Sequence, residues 1–157
     1  MSTVNEKTNE VLNDLVRINN DRIEGYQKAQ KESEDNTPEL ITTFQNMIKQ
    51  SDECVRDLSD LIIKGGGTVA DGSTFMGKIY RTWQDVRNAF SANDKKNILS
   101  YCEFGEDAAQ KAYKMAQEET DLSQEARILI SNQKSELKKS HDLIKNYRDQ
   151  QKVVVDH

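Results

Sequence analysis

Tyr101-Cys102-Glu103-Phe104-Gly105-Glu106-Asp107-Ala108-Ala109-Gln110-Lys111-Ala112-Tyr113 is the stretch that decides how this chain folds. Within it, Glu106, Ala109 and Tyr113 stand three and four positions apart. At roughly 100° per residue those positions share one face of a helix. Leu99 and Cys102 extend the face upstream, and Ala116 extends it downstream. The stripe is therefore apolar with a carboxylate at its centre. A glutamate buried in such a place must be paired, protonated or bound to metal, because an isolated charge away from water is too costly.

Working outward, Asn93 or Asp94 can cap this helix, which runs to about Glu118. Asp121 or Ser123 can cap a further helix running to about Asp149, with Ala126, Ile130, Gln133, Leu137, His141 and Ile144 as its inner stripe. Beyond it, Gln151 to His157 carries Val153-Val154-Val155 and is either a docked extension or a frayed end.

Upstream lies a connection, Thr68 to Lys95, in which Met76, Ile79, Trp83, Val86 and Phe90 recur every three or four residues. That spacing predicts an amphipathic helix of about 17 residues, near 25 Å long, which suits a crossover between the ends of a bundle. Gly72-Ser73 is its expected cap, and Trp83 reads as a core residue.

Before the connection, Gly65-Gly66-Gly67 stops a helix that opens at Thr37-Pro38-Glu39, where a cap, a first-turn proline and a first-turn acid coincide. Its stripe is Leu40, Phe44, Met47, Ser51, Val55, Leu58 and Ile62, with Glu53 on the opposite, solvated side. The first helix runs from about Val4 to Lys31, followed by a polar loop, Ser33 to Asn36. Leu12, Leu15, Val16, Ile23, Tyr26 and Ala29 mark its apolar face, with Asn19 in the middle.

An internal repeat supports two similar hairpins. Tyr26-Gln-Lys-Ala-Gln-Lys-Glu32 resembles Tyr113-Lys-Met-Ala-Gln-Glu-Glu119 at an offset of 113 − 26 = 87. The stripes from Leu40 and from Ala126 match at an offset of 126 − 40 = 86. These features predict an all-α fold, a single domain over residues 1–157, with two helical hairpins joined by a long crossover that holds an additional helix.

Composition excludes several functions. The formal net charge is −5, the pI is near 5.1, and acids and bases are interleaved. A nucleic-acid groove or a polybasic membrane surface would need a basic stripe, so neither partner is expected. Met1 to Glu10 is polar and does not read as a secretory leader, and the longest apolar runs are three residues, so no membrane span is expected. A cytoplasmic setting follows, with Cys54 and Cys102 as small core residues rather than a disulfide.

The two histidines, one of them terminal, give nucleophilic triads little to build on. Cys102 stands beside Glu103, which discourages a thiolate. The glycine triplet follows a helix and lacks the Lys-Ser/Thr of a phosphate loop.

Two hairpins, one crossover and the Glu-x-x-Ala-x-x-x-Tyr third helix resemble the ferritin-like four-helix bundles. The likeness is closer to one bacterial branch of them, domain of unknown function 2383. It is carried by Leu12-Asn-Asp-Leu-Val-Arg-Ile-Asn-Asn-Asp-Arg-Ile-Glu-Gly-Tyr26, the Trp83 segment, Cys102-Glu-Phe-Gly-Glu-Asp107 and the His141-Asp142 pair, over roughly residues 10 to 149. The resemblance implies a ferritin-like fold and brings no established activity with it.

It also implies a test. A di-iron centre of this type takes one Glu from each of two helices and a Glu-x-x-His pair from each of the other two. Glu106 fits one lone-Glu position, but its repeat mate is Asn19, and no Glu-x-x-His occurs in the chain. Asn19, Ser51, Glu106, Gln133 and His141, with Tyr26 and Tyr113, form the expected polar cluster in the core. Arg22 is its expected countercharge.

The favoured expectation is a non-enzymatic interaction or structural module with a degenerate metal centre and no cofactor, associating as a homo-oligomer or with a protein partner. The rival is an atypical metal-binding or oxidoreductase bundle. Its single iron, manganese or zinc ion would sit on Glu103, Glu106 and His141.

Overall fold

The computed structural model describes residues 4–33, 38–70 and 95–155. Four long helices carry the fold: α1 (Val4–Ser33), α2 (Ile41–Lys64), α3 (Lys95–Gln117) and α4 (Gln124–Val155). A 3-10 turn, Pro38–Leu40, leads into α2. The ring of proline fixes φ near its helical value, which suits a first turn.

At the other end of α2 the backbone N–H groups of Gly65, Gly66 and Gly67 bond to the carbonyls of Leu61, Ile63 and Ile62. Gly66 has φ 78°, a left-handed conformation that stops the helix at little cost only for glycine. α4 opens on Ser123, whose Oγ accepts from the Ala126 N–H at 3.2 Å.

α1 packs along α2, α3 along α4, and α1 along α3, while α2 and α4 are the loosest of the neighbouring pairs. Every neighbouring pair is antiparallel, as ties between opposite sequence ends require. Asn9 reaches the Gly65 carbonyl, Lys7 pairs with Glu119, Gln117 bonds to Ser131, and Lys64 pairs with Glu125. α2 ends beside Asn9, whereas α3 begins at the far end, where Lys95 pairs with Glu39. The connection therefore joins opposite ends of the bundle. It starts along α1: Asn13 donates to the Thr68 carbonyl at 2.9 Å and accepts from the Ala70 N–H at 2.8 Å.

The core is built from one stripe of each helix. Leu12, Leu15 and Ile18 of α1 meet Phe44, Leu58 and Ile62 of α2, Leu99 and Tyr113 of α3, and Ile130, Leu137 and Ile144 of α4. In α2 the inward position after Ser51 is Cys54, and Val55 is half-buried against the core. In α4 it is Ser140, not His141, that continues the buried series from Leu137. Both choices keep a spacing of three or four, so periodicity alone does not separate them. Ile23 stands at the edge of α1, and Arg22 takes the interior position beside it.

The two hairpins and the all-α architecture are as the sequence predicts. The expected helix at Met76 to Phe90, its Gly72-Ser73 cap and the caps at Asn93 and Asp94 lie outside the described residues. The backbone at 151–155 continues α4. Among the described residues no helix is long and apolar enough to cross a membrane.

Candidate functional site

At mid-height the four helices turn polar groups toward one another, and these groups form a single chain of hydrogen bonds. Glu106 of α3 is 1 % exposed. Its Oε1 accepts from Arg22 Nε at 2.7 Å and from the Tyr26 hydroxyl, both on α1. The Arg22 guanidinium, itself fully buried, donates through one terminal nitrogen to the Met47 carbonyl at 3.1 Å and to Ser51 Oγ at 2.8 Å. Its other terminal nitrogen donates to Gln50 Oε1 at 2.8 Å, which also accepts from Ser140 of α4 at 2.8 Å.

From Ser51 the chain continues to Asn19 Oδ1 at 3.0 Å. Asn19 Nδ2 donates to the Leu15 carbonyl at 2.8 Å and to the Tyr113 hydroxyl at 2.9 Å. Tyr113 donates to Gln133 Oε1 at 2.6 Å, and Gln133 donates to the Cys54 carbonyl at 3.2 Å. Buried polar groups demand such partners. One atom lacks one: Glu106 Oε2 has no hydrogen-bond partner among the described residues.

The internal repeat explains the layout. Tyr113 is the mate of Tyr26 and Glu106 the mate of Asn19, since 113 − 26 and 106 − 19 both equal 87. Each tyrosine crosses to the polar residue seven positions earlier in the mate helix: Tyr26 to Glu106, and Tyr113 to Asn19. The cluster is thus two-fold in pattern, with charge on one side only. The repeat mate of Arg22 is Ala109.

Electrostatics keep the protons of the cluster in place. Burial alone would favour loss of the Arg22 proton, but the Glu106 charge more than offsets this, and the guanidinium holds its proton more firmly than in water. Burial, reinforced by Glu106, pushes the Tyr26 hydroxyl and the Cys102 thiol well up. Burial does the same for Tyr113, and it pushes the Cys54 thiol up to about 11. Near neutral pH these hydroxyls and thiols remain protonated. They serve as donors rather than as bases or nucleophiles. Arg22 also lies against the Tyr26 ring, 5.2 Å from its centroid, and that ring packs on Phe44 at 5.5 Å.

Of the residues the sequence singles out, Asn19, Ser51, Glu106, Gln133, Tyr26 and Tyr113 come together in this network. His141 does not join it. Its ring turns to the outer edge of the α3–α4 pair, with Nε2 2.5 Å from Asp107 Oδ1 and Nδ1 3.1 Å from Asp142 Oδ1. Glu103 is held by Arg148 at 2.7 Å.

The three residues of the single-ion expectation, Glu103, Glu106 and His141, are therefore each engaged by a different partner. Among the described residues no group of three or more His, Cys, Asp or Glu is placed to hold a metal ion. Nor does the donor set fit a two-ion centre, because Glu106, the carboxylate of this network, already carries a guanidinium. Sequence reasoning missed Gln50, Ser140 and the Met47 carbonyl. Gln50 and Ser140 each stand one position from a residue assigned to the stripe, which is the only signal they offer.

A family model described as Domain of unknown function (DUF2383) matches residues 7–119. No curated protein and no solved structure matches the chain.

Proposed function

Because this chain belongs to the DUF2383 family, a branch of the ferritin-like bundles, we propose that it is a non-enzymatic interaction or structural module. An internal Arg22–Glu106 pair then stands where the ferritin-like resemblance implies metal. The supporting observation is the guanidinium itself: Arg22 bonds to Glu106, Ser51, Gln50 and the Met47 carbonyl between the helices. A divalent ion brought to Glu106 would meet that fixed positive charge at close range in a poorly screened interior. With the centre closed, the outer helix faces are left to bind a protein partner or a second copy of the chain. The free, buried thiols of Cys54 and Cys102 suit a reducing compartment such as the cytoplasm.

One observation favours a second reading, in which a single iron, manganese or zinc ion sits on Glu106. Its Oε2 is buried without a partner. Recruiting Glu103 and His141 to that ion would require them to leave Arg148 and Asp107. Metal analysis of protein purified without added chelator separates the two readings, with Glu106→Gln as control. The module reading expects metal far below one ion per chain and no change in Glu106→Gln. Stoichiometric metal that Glu106→Gln abolishes would overturn it.

A further inference from the structure

The loosest of the neighbouring helix pairs leaves an open groove of about 450 Å³ between α2 and α4. Leu61, Ile128 and Leu129 line it, and Ile128 is 53 % exposed despite its place there. Isolated apolar side chains on a surface need no explanation, but several sharing one concave groove do. The flank on α2 is acidic. Asp57 and Asp60 line it, and neither has an ion pair among the described residues. The one lysine present, Lys64, is held by both carboxylate oxygens of Glu125 at 2.9 Å, so it does not neutralise the aspartates. The chain leaving α2 is tied to α1 through Asn13.

We infer that this groove is a docking site for an amphipathic helix of a protein partner, one with an apolar stripe flanked by lysine or arginine. Helices lay such a stripe into a hydrophobic groove, and charged flanks select which helix does so. Charge complementarity decides against a second copy of the same face. Apposing two of these grooves would bring Asp57 and Asp60 of one chain toward those of the other. The inference rests on the interaction-module reading and deepens it. Its test below is independent of metal content, so either can fail alone.

The probe is a designed 18-residue (~27 Å) helical peptide with a leucine stripe and lysine flanks. A matched peptide carries glutamate in place of lysine. Binding is read by fluorescence anisotropy and mapped by amide chemical shifts on the full chain.

The lysine peptide is expected to bind, with shifts confined to residues 57–64 and 125–132 of the groove. Its affinity should fall about tenfold in the Asp57→Lys/Asp60→Lys double variant, and that variant should prefer the glutamate peptide. Both positions are exposed, so the variant should fold, which its circular dichroism checks. Equal binding of the two peptides would overturn the inference. So would shifts elsewhere, an affinity indifferent to the double variant, or light scattering that shows a second copy covering the groove.

Discussion

Replacing Arg22 by methionine removes the cation paired with Glu106 and keeps most of the side-chain volume. In the wild-type chain Arg22 and Glu106 are 0 % and 1 % exposed and meet at 2.7 Å. Among the described residues, methionine leaves the carboxylate with the Tyr26 hydroxyl alone. The neighbours suffer less, because Ser51 keeps Asn19 and Gln50 keeps Ser140. The stranded charge therefore dominates, and breaking one partner of such a buried pair costs about 3–5 kcal/mol. Glu106→Gln strands the guanidinium instead and should cost a similar amount.

The double variant, Arg22→Met with Glu106→Gln, removes both charges and lets the amide still accept from Tyr26. Its loss should be roughly 1–3 kcal/mol, far below the sum of the single losses, giving a coupling of about 3 kcal/mol or more. Urea unfolding followed by circular dichroism measures all four corners of the cycle. Thermal midpoints should drop by roughly 6–20 °C in each single variant, at about 2–4 °C per kcal/mol for a chain of this size. An Arg22→Met loss below about 1 kcal/mol, or a coupling that small, would refute the claim that this pair anchors the interior.

His141 should make a small, pH-dependent contribution. Partial burial pulls its imidazole down, but the hydrogen bonds and charges of Asp142 and Asp107 outweigh this and leave it raised above 6.5. A raised folded value means the stabilisation is fully present below about pH 6.5 and fades as pH rises through the folded pKa. His141→Gln should therefore cost about 0.5–1 kcal/mol near pH 5.5 and almost nothing well above the folded value, by urea unfolding at each pH. A loss independent of pH would contradict the Asp107 contact. The thiols should resist modification in the folded chain, since Cys54 is pushed up to about 11 and Cys102 is pushed well up beside Glu106. A colorimetric disulfide reagent should react only at the rate of unfolding, and fast reaction of either thiol in native buffer would contradict their burial.

The hairpins were legible because long stripes at a spacing of three and four, punctuated by proline and a glycine triplet, leave few alternatives. Glu106 stood out for the same reason: a lone acid in an apolar stripe. What periodicity could not supply was which residue on one helix faces which on another. Tyr26 and Tyr113 were legible as matching positions, yet their exchange across the repeat, each reaching the other half's polar residue, is a property of the packing. Ser140 and His141 show the second limit. Adjacent positions differ by roughly 100° around the axis, and a stripe broad enough to bury a helix admits either. The choice falls on the small hydroxyl that fits against Gln50, while the imidazole finds carboxylates at the edge.

The two-fold pattern with one-sided charge bears on assembly. The first hairpin owns Arg22 and a neutral Asn19, and the second owns Glu106 with Ala109 at the position that matches Arg22. Were two first hairpins to associate, a pair of guanidinium groups would be sealed together without an anion. Two second hairpins would likewise confront carboxylate with carboxylate. Only unlike halves cancel, so a fold that looks interchangeable by shape accepts one of each and rejects its own duplicates.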